Sequence, residues 1–277
     1  MTAIEFRPLG EHVGVEALGV DINRIDDAQF GALRGAVMAH GVLFLRDQQV
    51  TPDQHIAFAR RWGGIDINNY FPANGAHPEI AEVRKAETQT TNIGGGWHTD
   101  HSYDQVPAMG SILLARETPP VGGDTLFASL AAAFDSLSEG LKATLRGLRA
   151  VHSADHIYSA DGIYAQTDQA AELKGHDVRT GAVHPVALRH PVTRREILYV
   201  NPAFTLHFEG WTREESLPLL QYLYGVGMRP EFHCRWQWAP GSIAIWDNRS
   251  TWHYAMNDYQ GHRRVMHRIT IAGEPLA

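Results

Sequence analysis

The last third of the chain places the tightest constraint on the fold. Four short runs, "EILYVNPAF" (196–204), "FHCRWQW" (232–238), "SIAIWDN" (242–248) and "RRVMHRITI" (263–271), are rich in β-branched and aromatic residues, with turns between them. A fifth apolar run, "GVLFLRD" (41–47), lies far upstream. Strands and helices do not alternate regularly, which disfavours a doubly wound parallel sheet. The pattern predicts a mainly β fold with flanking helices, arranged as a two-sheet sandwich or jelly roll. A length of 277 residues suits one domain spanning 1–277.

Three helices are predicted around these strands. In "TPDQHIAFARRWGG", Thr51 is the N-cap, Pro52 takes the first helical position, Gln54 closes a capping box, and Gly63 and Gly64 end the helix. "FDSLSEGLKATLRGL" puts Leu137, Leu141, Leu145 and Leu148 on one helical face. "TREESLPLLQYLYG" opens with a Thr212/Glu215 capping box, and Pro218 predicts a kink or a late start. The segment 154–183 is polar and weakly periodic, and reads as a lid over a site or as a surface insertion.

Composition excludes several functions. The chain is 44% hydrophobic and 20% charged, as in ordinary globular proteins with a sizeable core. A formal charge of -7 without a basic run argues against nucleic acid and anionic membranes as partners. The lone Cys234 forms no internal disulfide or thiolate cluster. No apolar run reaches the roughly 18 residues of a membrane span, and the first residues do not read as a signal peptide. A cytoplasmic protein is expected.

Against that background, "GGGWHTDHSYD" (94–104) raises the question of a metal. In an extended segment His98 and Asp100, two apart, point the same way. With 16 histidines and about as many aspartates, chance supplies about one His-x-Asp, so the pair alone is weak. His-x-Glu occurs at His77/Glu79, where Pro78 predicts a loop, and at His207/Glu209, which could sit in a strand. His101, three positions from His98, would face away. Downstream lie His253, Arg263, Arg264, His267 and Arg268. If 263–271 is a strand, Arg264, Met266 and Arg268 share one face, and two buried arginines on one face call for anions. Two histidines and a carboxylate leave open positions on a metal, as in non-haem Fe(II) oxygenases. A Zn(II) hydrolase on the same ligands and a non-catalytic jelly-roll binder are the alternatives.

Taken together, "GVLFLRDQQVTPDQHIAFARRWG", "WHTDHSY", "PPVGGDTLFASL", "ALRHPVTRREILYVNPAF" and "IAIWDNRSTWHYAMNDYQGHRRVMHRITI" resemble, in order and over nearly the whole chain, the taurine dioxygenase (TauD/TfdA) family of Fe(II)/2-oxoglutarate-dependent dioxygenases. The resemblance implies a double-stranded β-helix, a cupin-like jelly roll. It implies Fe(II) on His98, Asp100 and His253, with 2-oxoglutarate and O2 as cosubstrates. Arg264, helped by Thr125, would grip the distal carboxylate of 2-oxoglutarate, and Arg268 would lie near the substrate anion. The reaction implied is hydroxylation of a small organic acid beside a heteroatom, after which the product fragments. Asp100 argues against the halogenase variant, which lacks this carboxylate. A homodimer or tetramer is expected from the family.

The chain departs from the taurine enzyme at three positions. Asn68 and Phe71 stand where that enzyme carries a histidine and a tyrosine for sulfonate recognition, and Gly94 stands where it has an asparagine. A weaker, more apolar anion site follows, and taurine is not the expected substrate. Phe71 and Tyr103 are candidates to line a pocket for a larger or aromatic acid. Sulfonates, sulfate esters and aryloxyalkanoates remain open.

Overall fold

The computed structural model describes residues 4–174 and 180–276. Its larger sheet runs in the order Glu5–Pro8, Val15–Leu18, Val42–Leu45, Ile243–Asp247, Gly110–Glu117, Arg264–Ile271, His77–Lys85 and Ala73–Asn74. Ile65–Asp66 also pairs with Arg264–Ile271. A smaller sheet is formed by His233–Trp236, Thr125–Ser129 and Thr251–Ala255. Pairing in the two sheets is antiparallel except between Val15–Leu18 and Val42–Leu45. This is the predicted jelly roll.

Side-chain alternation makes both layers. Leu43, Leu45, Ile112, Leu114, Ile243, Ile245, Ile269 and Ile271 turn outward against the helices Asp27–His40 and Pro52–Arg60. The intervening Phe44, Ala115, Ala244, Trp246 and Met266 turn inward and meet Phe127, Cys234 and Trp236 of the smaller sheet. Phe44 stacks on Trp236 at 4.2 Å and meets Phe127 edge-on at 5.4 Å. Each such ring contributes about 1.5–3 kcal/mol by leaving water. All eight residues of Arg264–Ile271 are buried, so Arg264 and Arg268 reach the interior on the same inward face as Met266. Burial pushes the Cys234 thiol up to about 12, as fits an inert core sulfur.

The two helices with predicted capping boxes form behind them, and the third divides. Thr51 and Gln54 make the expected capping box, and the helix ends at Arg60, before the two glycines. The expected single helix over 134–148 is two, Leu130–Asp135 and Glu139–Arg146. The break comes where Ser138 leaves helical geometry to cap Leu141 N. Leu137, Leu141, Leu145 and Leu148 nevertheless enter one core cluster. The helix Arg213–Gly227 starts on time behind its Thr212/Glu215 box and runs through Pro218. Proline is tolerated there because its missing N–H would have served Glu214 in the first turn, at an exposed carbonyl.

Two strand expectations also need correction. The run 196–204 is a strand only over Glu196–Leu198, because Asn201 and Thr205 close a turn around Pro202. Pro78 does not enforce a loop; it is the second residue of the strand His77–Lys85. The ladder to Arg264–Arg268 uses Ala81–Lys85, so Pro78 lies before the positions that must donate to that neighbour. Within 154–183 the chain forms a short helix, Asp155–Tyr158, two 3-10 turns, Ile163–Gln166 and Ala170–Glu172, and the start of strand Ala182–Pro185. Residues 175–179 of the expected lid lie outside the described residues.

The outer helix supports the site from behind. A Cβ built on Gly227 would collide with the Trp252 indole, next to His253. We expect Gly227→Ala to destabilise the fold by about 1–3 kcal/mol, as overpacking does. Urea unfolding would check this, and a neutral result would show that helix and strand can separate there.

Candidate active site

His98 and His253 are brought together by backbone pairing rather than by local spacing. His98 N donates to His253 O at 3.1 Å and His253 N donates to His98 O at 2.8 Å, an isolated antiparallel bridge. The chain turns at Ile93–Gly94, pairs at His98 and turns again at Asp100, which brings the carboxylate under the two rings. His98 Nε2 lies 3.7 Å from Asp100 Oδ1, and His253 Nε2 lies 3.8 Å from Asp100 Oδ2. Metal bonds of about 2 Å to each ligand span such gaps. Among the described residues, these three are the group of His, Cys, Asp or Glu close enough to share one ion. His77/Glu79 and His207/Glu209 make no such group.

The protonation states suit a cation. Burial pushes both imidazoles below their ordinary range, which leaves a lone pair available. His98 Nδ1 lies 2.7 Å from Gly96 O, an acceptor, so Nδ1 carries the proton and Nε2 faces Asp100. Burial would raise the Asp100 carboxyl, but Arg268, then His253 and His98, outweigh it and hold it well below the usual range. His101 faces elsewhere, with Nδ1 at 2.8 Å from Asp104.

The arginines play different parts. Arg263 points outward to Glu117 at 3.0 Å. Arg264 is buried at 6% exposure, and its Nε and Nη2 have no hydrogen-bond partner among the described residues. Burial pushes its guanidinium down. Thr125, on the same cavity wall, accepts from Trp238 Nε1 at 2.9 Å, so its own hydroxyl proton is free to donate. A guanidinium and a hydroxyl with donors to spare form a carboxylate site. Arg268 lies across Asp100, with Nη1 at 3.3 Å from each carboxylate oxygen, and 5.0 Å above the Phe71 ring. Its buried Nε has no partner among the described residues.

One cavity is lined by His98, Asp100, His253, Thr125, Arg264, Arg268 and Phe71, together with Gly94, Tyr158 and Trp246. Asn68 is not on its wall. Its Oδ1 accepts from Tyr70 N at 2.8 Å and Phe71 N at 3.0 Å, so it shapes the turn that delivers Phe71. Tyr103 packs behind the wall, 4.8 Å from Phe204. Sequence reasoning missed Tyr158 and Trp246. Strand alternation from Ala244 gives Trp246 an inward face, whereas no spacing links Tyr158 to the His-x-Asp segment.

Residues 5–270 match the family model described as taurine catabolism dioxygenase TauD, TfdA family. The chain belongs to the TauD/TfdA family. The chain spans two thirds or more of the length of each relative it matches here. It is 34% identical to an alkylsulfatase of Acinetobacter baylyi, over 98% of this chain and 86% of the relative. It is 34% identical to an (S)-phenoxypropionate/alpha-ketoglutarate-dioxygenase of Sphingobium herbicidovorans, over 99% and 96%. The crystal structure of a taurine dioxygenase from Burkholderia xenovorans superposes with a TM-score of 0.85 at 33% identity, covering 100% of this chain and 91% of that one. A TauD/TfdA member with this geometry has its donors placed for a metal beside a carboxylate pocket.

Proposed function

We propose that the chain is an Fe(II)- and 2-oxoglutarate-dependent dioxygenase. It hydroxylates a small organic anion of the sulfonate, sulfate ester or aryloxyalkanoate type, beside a heteroatom, so that the product fragments. The observation that carries this reading is the juxtaposition, in one cavity, of the His98–Asp100–His253 donor set and the Arg264 guanidinium, whose Nε and Nη2 have no partner among the described residues. A Zn(II) hydrolase needs the first but gives no role to the second.

Each residue has a stated task in this reading. His98 and His253 offer neutral nitrogens and Asp100 a carboxylate, a hard donor set that suits Fe(II). Arg264 and Thr125 hold the distal carboxylate of 2-oxoglutarate. When bound, the metal and 2-oxoglutarate activate O2 for insertion into a substrate C–H bond. Arg268 keeps Asp100 ionised and offers its Nε toward the substrate anion. Phe71, which has no hydroxyl, gives that anion an apolar neighbour, and taurine is a poor substrate. Tyr158, from the described part of the segment 154–183, closes one side of the cavity, and the whole chain serves as one oxygenase domain.

Anaerobic titration with Fe(II) and 2-oxoglutarate tests the assignment. The weak visible charge-transfer band of the chelate is expected in the native protein and absent in His98→Ala. If iron binds stoichiometrically but no band forms, the oxygenase assignment falls and Zn(II) hydrolysis becomes the better reading.

A further inference from the structure

A second cavity adjoins the first and shares Gly94, His98 and Tyr158 with it. It is an open groove of about 390 Å³, a size typical of small-molecule sites, against about 50 Å³ of free space in the inner cavity. Its walls are Gly95–Trp97 on one side, Ile157, Ile163 and Tyr164 on another, and Pro202–Phe204 at the end. Resting on the proposed oxygenase assignment, we infer that this groove holds an uncharged hydrocarbon tail of the substrate. The anionic head would sit at Arg268, and the tail would pass over Gly94.

Two polar side chains along the groove are already engaged. The Tyr164 hydroxyl accepts from Gly94 N at 3.0 Å and donates to Asn92 O at 3.4 Å. His156 Nε2 pairs with Ala203 O at 2.7 Å. Among the described residues, the groove has no carboxylate, lysine or arginine on its walls, and the inner cavity has no carboxylate besides Asp100. An ammonium at the far end of a substrate would find no counter-ion, and a second anion no cation. The walls are also held in place. Asp168 accepts from Thr90 N, and from Thr90 Oγ1 at 2.8 Å and Thr91 N at 3.1 Å, while Gln169 Nε2 donates to Thr91 O at 2.6 Å. These contacts tie the 163–172 segment to the strap carrying His98, so the groove is formed before substrate arrives. The site therefore selects acids whose other end is neutral and apolar.

The experiment measures how n-alkyl sulfates and n-alkanoates perturb the anaerobic Fe(II)–2-oxoglutarate band. Two head groups are used so that head preference is separated from tail binding. In the preferred series, affinity is expected to rise about three- to fourfold per buried methylene and then level off as the groove fills. A terminal ammonium in place of the last methyl should abolish most of that gain. Ala203→Trp, which fills the groove end, should flatten the slope, and an unchanged slope overturns the tail site. A normal band with no dependence on chain length, or equal binding of the ammonium-ended homologue, overturns the tail site alone. A band that never forms overturns the oxygenase assignment and this inference with it.

Discussion

Arg264→Leu is expected to raise the dissociation constant for 2-oxoglutarate by about 30-fold to several-thousandfold. Removing one partner of a buried, hydrogen-bonded charge pair costs about 2–5 kcal/mol. The metal site should survive, because Arg264 touches none of His98, Asp100 and His253, so Fe(II) affinity measured without cosubstrate should change little. A second effect runs the other way. In the ligand-free protein the Arg264 guanidinium is buried with no partner for Nε and Nη2 among the described residues, a cost that leucine removes. The variant is therefore expected to melt at or above the native protein without 2-oxoglutarate, and to lose the upward shift that 2-oxoglutarate confers. Arg264→Lys keeps the charge but not the two-pronged geometry and should fall between. If Arg264→Leu binds 2-oxoglutarate normally, the carboxylate pocket is elsewhere.

The parts of the site that were legible in the sequence are those that obey a local period. The inward face of Arg264, Met266 and Arg268 follows from strand parity, whereas Asp100 meets His98 through a turn and not through the extended spacing of two that the sequence suggested. The pairing of His98 with His253 is not local either, since it depends on register between segments about 150 residues apart, and only the resemblance to a family supplied it. Asn68 and Tyr103 illustrate the limit. Both lie near the cavity in sequence order, but a turn hydrogen bond occupies one and ring packing the other. The split of the 130–146 helix was missed because apolar periodicity continues across the break, while the capping hydroxyl of Ser138 decides the backbone. The groove was illegible for a similar reason: its walls come from three distant segments, none with a periodic pattern.

Asp247→Asn should be the most damaging isosteric change away from the metal. Asp247 is fully buried at the end of strand Ile243–Asp247. Its Oδ2 accepts from Arg249 Nη2 at 2.6 Å and His190 Nε2 at 3.0 Å, and its Oδ1 accepts from Arg249 N and Nε at 2.9 and 2.8 Å. The amide keeps the shape but leaves the Arg249 guanidinium without a counter-charge, a loss of about 3–5 kcal/mol. The sign with pH follows from the carboxyl. Burial alone would raise it, but the hydrogen bonds from Arg249 and His190 prevail and lower it to about 2. A carboxyl depressed on folding stabilises the native state above its ordinary value near 4, and that contribution fades as pH falls toward 2. The gap between native protein and variant in urea unfolding should thus be full at pH 7 and narrower at pH 3. A gap below about 1 kcal/mol at pH 7 would mean that Arg249 finds another partner when the carboxylate is gone. The turn that follows carries the chain into Thr251–Ala255 and so to His253, which makes weakened Fe(II) binding the expected companion of the lost stability.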